Sequence, residues 1–226
     1  MINKRTVKSF VRRSRHLTDT RKQAWNNLWT KYGLAVAEKI DLEKIFPDPA
    51  PIIIEIGFGM GDSLLKMAVE NPETNFIGIE VHAPGVGALF TKLQQNPITN
   101  LRIFTEDAIS VLETAIADNS IDKILLFFPD PWPKLRHHKR RLVQISFAKL
   151  ILKKLKLHGQ FHIATDSKDY ALHSLKVLEH IPEFSNAARE QKFSPRPPYR
   201  ILTKFESRGI KLGHEIWDII FVKNKT

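Results

Sequence analysis

The chain has 226 residues, enough for one sizeable α/β domain, and its 42% apolar and 26% charged content is that of an ordered globular protein. It has no cysteine, which excludes disulfides, thiol nucleophiles and cysteine zinc sites and agrees with action in a reducing cytoplasm; no apolar run approaches the ~18 residues that span a membrane. The net charge of +11 is concentrated: residues 1–22 hold eight Lys/Arg against one acid, and residues 131–165 hold nine against none, which points to a polyanion, nucleic acid ahead of an anionic membrane.

Residues 1–20 read as a basic arm. From Thr20 to Lys39 the residues Trp25, Leu28, Trp29, Tyr32 and Val36 recur at helical spacing and predict an amphipathic helix. The prolines between Phe46 and Pro51 then interrupt the pattern. We therefore expect a basic arm with its helix over 1–46 and a catalytic domain over 47–226.

Beyond the prolines, strands are predicted at Ile52–Ile56, Phe76–Glu80, Leu101–Thr105, Ile121–Phe128 and Gly159–Thr165. Helices are predicted near 61–71, 84–95, 108–117, 141–156 and 167–181, the fourth with Val143, Phe147, Ile151 and Leu155 as its apolar stripe. The tail, with strands near 184–189 and 215–222 and no helix between them, suggests a closing antiparallel hairpin. The whole predicts a doubly wound, mostly parallel α/β sheet of seven strands with an antiparallel last strand.

Three motifs carry chemistry. Glu55-Ile-Gly57-Phe-Gly59-Met-Gly61 leaves a strand and opens a helix, where bare backbone and free N–H groups can meet a ligand. A dinucleotide fold wants G-x-G-x-x-G; here the spacing is G-x-G-x-G with Asp62 next, which suits a diphosphate badly. Glu55 instead favours a ligand with amino and hydroxyl groups. Glu80 closes the second strand, where a carboxylate can accept from both ribose hydroxyls of a nucleoside. Asp107 follows the third strand, either as a helix N-cap or beside an adenine at the same sheet edge.

Phe127-Phe-Pro-Asp130-Pro-Trp132-Pro-Lys134 leaves the carboxyl end of the fourth strand, and its prolines present Asp130 and Trp132 rigidly. The aromatic can pack on a base, and the carboxylate can accept from guanine's N–H groups. Arg136-His137-His138-Lys139-Arg140-Arg141 follows at once and suits a phosphate backbone. No carboxylate or cysteine completes a metal site around the paired histidines, so none is expected.

With these segments, the Arg5–Arg13 arm, Ala164-Thr-Asp166, Thr203-Lys204-Phe205-Glu206-Ser-Arg-Gly209 and Leu212–Asp218, the chain resembles the bacterial tRNA (guanine-N7)-methyltransferase family, which has a class I S-adenosylmethionine-dependent methyltransferase (Rossmann-like) fold. The resemblance implies methylation of guanine N7 in the tRNA variable loop, with S-adenosyl-L-methionine held around Glu55, Gly57, Gly59, Gly61, Glu80, Asp107 and Asp130. It makes Asp130 the catalytic residue. It implies substrate contacts from Lys134, Asp166, Thr203, Lys204, Phe205 and Glu206, and RNA contacts from Arg136 through Arg141, with Leu135 where a second basic residue is expected. It implies tRNA as the partner, no obligate protein partner, and a monomer or homodimer. Two rivals remain open at this point: a nicotinamide-dependent oxidoreductase on a related fold, and a non-catalytic RNA-binding protein.

Overall fold

The computed structural model describes residues 17–202, 206–207, 213 and 215–225. Its parallel strands are β1 (Gly33–Leu34), β2 (Ile52–Ile56), β3 (Asn75–Ile79), β4 (Leu101–Phe104), β5 (Ile121–Phe127) and β6 (Leu155–Thr165). β8 (Trp217–Lys223) lies antiparallel between β6 and β7 (Phe184–Asn186), giving one sheet of order β1-β4-β3-β2-β5-β6-β8-β7. From β2 the chain builds outward through β3 and β4, then crosses back to β5 and β6 on the other side.

Alternation along the strands feeds two apolar layers. Ile52, Ile54 and Ile56 of β2 point into one layer with Ile124 and Leu126 of β5, while Leu125 of β5 and Phe76 of β3 point into the other. Residues of helices α5 (Ala108–Thr114), α6 (Ile145–Lys154) and α7 (Lys168–Glu179) fill the first layer, with the short α2 (Leu42–Ile45) packed against it; those of α1 (Asp19–Tyr32), α3 (Asp62–Glu70) and α4 (Ala83–Gln95) fill the second. Each fully buried Ile, Leu or Phe here contributes about 1.5–3 kcal/mol.

Three elements depart from expectation. α1 ends at Tyr32 instead of running to Lys39, because Gly33 turns extended, caps the helix and starts β1, an eighth, two-residue strand at the sheet edge. Trp29 lies over Gly33 so closely that a Cβ there would come within 2.3 Å of its ring. Trp25 and Trp29 also pack on Phe90 of α4, with ring centroids 5.8 and 6.2 Å away.

The helix expected over 141–156 is shorter, α6 (Ile145–Lys154) alone, and a separate 3-10 helix (Leu135–Arg140) lies before it. The stripe Val143, Phe147, Ile151 and Leu155 is buried as expected, although Leu155 already belongs to β6. That strand therefore starts earlier than Gly159: Leu155 pairs with Ile121, and the next pair, Lys123 with Gln160, leaves residues 156–159 as a bulge.

The C-terminal strand is tied down by a buried polar chain. The Tyr199 hydroxyl lies 3.1 Å from His162 Nδ1, and His162 Nε2 lies 2.7 Å from Asp218 Oδ1, which makes the imidazole a neutral Nε2–H tautomer. Burial first of all lowers the pKa of His162, in keeping with that neutral ring. Arg200 bridges the carboxylates, donating to Glu206 Oε1 at 2.7 Å and to Asp218 Oδ2 at 2.9 Å. Arg200→Ala removes the cation that two buried carboxylates share and is expected to cost roughly 3–5 kcal/mol in urea unfolding; a loss below about 1 kcal/mol would show the network to be dispensable.

Candidate active site

The loop after β2 is shaped by its three glycines, all at positive φ (74°, 57° and 74° for Gly57, Gly59 and Gly61). A side chain on Gly57 or Gly59 would project into open space, whereas one on Gly61 would come within 2.9 Å of Leu89 of α4. The first two thus leave a bare backbone cradle, and the third lets α3 begin against α4. Glu80 organises this loop: its two carboxylate oxygens accept from Gly59 N at 2.9 Å and from His82 N at 2.8 Å. Each oxygen keeps acceptor capacity for a ligand. Lys92 fastens the far end of the turn, donating to Met60 O at 2.6 Å and Asp62 Oδ1 at 2.7 Å.

A cleft of about 220 Å³ opens where β2, β3 and β5 end, and Gly57, Glu80, Asp107 and Asp130 all line it. Asp107 is indeed the N-cap of α5, accepting from Ile109 N at 3.0 Å, and it lines the cleft as well. Glu106, which sequence reasoning passed over, is a further acid of the lining; the signal was its place beside Asp107 at the strand end. Gly59, Gly61 and Glu55 are not part of the lining.

Glu55 is buried at 3% exposure, and its Oε2 has no hydrogen-bond partner. Burial, and secondly the charge of Glu80, push its pKa from the ordinary 4.5 up to about 8. An orphaned buried carboxyl beside a backbone cradle and a row of acids is the donor set for a cationic, hydroxyl-bearing ligand. S-adenosylmethionine, with its ammonium, ribose hydroxyls and sulfonium, fits that set.

The Asp130 loop leaves β5 under constraint. Phe128 N donates to Ala164 O at 2.8 Å, and both Phe128 and Trp132 hold left-handed backbones (φ 51° and 44°). For bulky residues such conformations cost of order 1–3 kcal/mol each and persist only when the surroundings fix them. Pro129 and Asp130 face the first cleft; Pro131, with Asp166 and Trp217, faces a second, broad and open one on the other side of the loop. Asp130 itself is exposed at this divide.

The basic segment is less uniform than its sequence. Lys134, Leu135, Arg136 and Lys139 are exposed, with Leu135 at 83%. Arg140 stacks its guanidinium 3.8 Å from the centroid of Trp132, so one face of the ring expected to pack on a base carries a cation. His137 meets the same ring edge-on at 5.8 Å, and burial together with the surrounding cations lowers its pKa.

Arg141 departs from the expected RNA-facing run: it is 2% exposed and its guanidinium is bound to protein groups. Further on, Lys153 and Lys154 pair with Asp118, and Lys156 with Asp122. Within residues 134–140 the cations of Lys134, Arg136 and Lys139 face solvent. Glu206, expected at the substrate, is buried against Arg200. Thr203, Lys204 and Phe205 lie outside the described residues, as does the Arg5–Arg13 arm.

A sheet that reverses its strand order at β2, with an acid-lined cleft at the reversal and an antiparallel β8, defines a Rossmann-like methyltransferase. Residues 49–219 match the family model described as "Putative methyltransferase". A 16S rRNA (adenine(1408)-N(1))-methyltransferase from Catenulisporales acidiphilia, crystallised with its cosubstrate SAM, shares the fold at TM-score 0.56 and 15% identity, covering 85% of this chain and 96% of that one. The tRNA (guanine-N(7)-)-methyltransferase of Photorhabdus laumondii is 51% identical over 98% of this chain and 93% of its own length. That of Hydrogenovibrio crunogenus is 50% identical over 97% and 92%. The chain belongs to the tRNA (guanine-N7)-methyltransferase family.

The buried Glu55 makes a pH-dependent stability prediction. The unfolded carboxyl ionises near 4.5 and the folded one near 8, so the folded protein holds an extra proton between these values. Stability without cofactor should therefore fall as pH rises through that window, at most by roughly 1.4 kcal/mol per pH unit. Glu55→Gln removes this linkage. Its advantage in thermal midpoint over the parent should grow from about pH 5 to about pH 8 and then level off. Parallel curves for the two proteins would mean that Glu55 is ionised throughout.

Proposed function

We propose that this chain transfers a methyl group from S-adenosylmethionine to N7 of a guanine in tRNA, in the cytoplasm, as a monomer or homodimer without an obligate protein partner. The observation that carries the reading is the position of Asp130, on a constrained loop between an acid-lined cleft and an open one, with the cations of Lys134–Arg140 immediately after it. Residues 47–226 hold the cofactor and catalyse; the basic arm within 1–46 reaches the RNA. Sedimentation of the purified chain with and without tRNA reads the stoichiometry.

In this reading Glu55, Glu80 and Asp107 hold the cofactor. Glu55 would pair with its ammonium, Glu80 with its ribose and Asp107 with its adenine. When bound, the cofactor supplies an electrophilic methyl on a sulfonium. Guanine N7 carries an in-plane lone pair and no proton, so nothing on the protein has to act as a base toward it. The protein's work is alignment and electrostatics. Asp130 accepts from the guanine N–H edge, orienting the base and stabilising the positive charge that arrives on the purine. Asp166, across the loop, borders the same open cleft, and Lys134 through Arg140 hold the phosphates.

Asp130→Asn keeps the side chain's shape but removes its charge and turns one acceptor into a donor facing guanine's own donors. The single-turnover rate at saturating cofactor should fall on the order of 100-fold. The parent's rate should be flat from about pH 6 to about pH 8.5, because no proton leaves N7. A rising limb in the parent that disappears in the variant would make Asp130 a general base and overturn this mechanism.

The RNA reading predicts a steep salt dependence. With about five phosphates neutralised, tRNA affinity should fall by two to three decades between ~50 and ~200 mM salt. Arg136→Ala should lower the slope of log affinity on log salt by about one. A parent slope near zero would contradict a polyanion partner.

A further inference from the structure

We propose that Arg141 is a positioning residue that fixes the Asp130 loop and does not contact RNA. The inference rests on the reading of Asp130 as the active-site residue. Arg141 Nε donates to Pro131 O at 3.0 Å, one residue past Asp130. Its Nη2 donates to the Asp169 carboxylate in the first turn of α7 and lies 2.9 Å from His138 Nε2, which accepts when His138 is the Nδ1–H tautomer. The guanidinium carbon lies 5.5 Å from the Tyr170 ring centroid. One buried fork thus joins the loop, the 3-10 helix and α7. The arginine's own backbone is held in turn: Gln144 Nε2 donates to His138 O at 3.0 Å and to Arg141 O at 3.3 Å.

The loop needs such an anchor. Pro129, Pro131 and Pro133 have no N–H, so carbonyls are the main backbone groups by which the protein can grip it. Its start is fixed by the bond from Phe128 N to Ala164 O, and Arg141 holds the carbonyl on the far side of Asp130. Between these two attachments the chain carries Asp130, and the left-handed backbones at Phe128 and, just past the second attachment, at Trp132 are conformations that relax unless the loop is held there. Misplacing a reacting group by about 1 Å can cost 100-fold in rate, so loss of this hold should appear in the chemical step. A lysine cannot replace the fork: its ammonium keeps the charge and can reach Asp169, but lacks the planar array that spans two fixed acceptors at once.

The test is a double-mutant cycle on the single-turnover rate, at saturating cofactor and tRNA, with Arg141→Lys, Asp130→Asn and the pair. Arg141→Lys is expected to slow the parent at least tenfold, while tRNA affinity stays within about twofold. In the Asp130→Asn background the same change should cost less than about twofold, because the group it positions is already gone. An equal loss in both backgrounds would make Arg141 a general structural residue and overturn the proposal. So would a salt slope lower by about one in Arg141→Gln, where the charge is removed, the mark of a phosphate contact. Should Arg141→Lys fail to fold, Asp169→Asn takes its place in the cycle. Asp169 is exposed, and the same pattern is expected from it; an unchanged rate there overturns the proposal too. The Asp130→Asn arm alone reports on the Asp130 reading, so failure of that reading and failure of this one are read separately.

Discussion

The reversal of strand order at β2 is the constraint on which the site depends. The chain runs from β2 to β3 and β4 on one side, then returns to lay β5 and β6 on the other. The loops leaving β2 and β5 must therefore part at their carboxyl ends, and the gap they leave cannot be closed by the sheet itself. Gly57, Glu80, Asp107 and Asp130 come from four different strand ends, separated by up to 73 residues in sequence, and this parting gathers them around one cleft. The two apolar layers make the arrangement rigid, because each strand is gripped from both faces.

The electrostatics have two scales. Close to the cleft the field is negative. Glu80, Glu106, Asp107 and Asp130 line the cleft, Glu80 keeping acceptor capacity beyond its two backbone N–H groups, while Glu55, whose pKa burial raises to about 8, adds its charge only when a cation reaches it. A few residues away the surface is positive, along Lys134–Arg140. A cationic cofactor and a polyanionic RNA can thus be drawn to adjacent places without competing. The pairing of Lys153, Lys154 and Lys156 with aspartates sharpens the division, since these lysines support the fold around α6 and β6 and add little to the RNA-facing field.

The proposed reaction asks for position more than for proton transfer, and the Asp130 loop suits that demand. Three prolines remove flexibility, two left-handed aromatics set its course, and Trp132 is held under Arg140. Such a loop loses little entropy on binding substrate. The strain it carries is balanced by its attachments to β6 and, in the proposal above, to Arg141.

Composition and local order made much of this legible from sequence. Alternating apolar runs and the proline break at 46–51 gave the doubly wound sheet, because burial on both faces leaves a repeating pattern. The G-x-G-x-G turn, the acids at strand ends and the proline-bracketed Asp130 were legible because their chemistry is local to a few residues. What sequence missed depended on partners far along the chain. Tyr32 and Gly33 end α1 only because a sheet edge and Trp29 wait there. Arg141 reads as one more cation in a basic run, yet Asp169, 28 residues on, and the Pro131 carbonyl draw it inward. Glu206 reads as a substrate contact, yet Arg200 takes its carboxylate into a buried network with Asp218. A sequence states which side chains carry charge; only the folded chain decides which charges are satisfied inside and which remain for a ligand, because that depends on burial and on partners that tertiary packing alone brings within hydrogen-bonding distance.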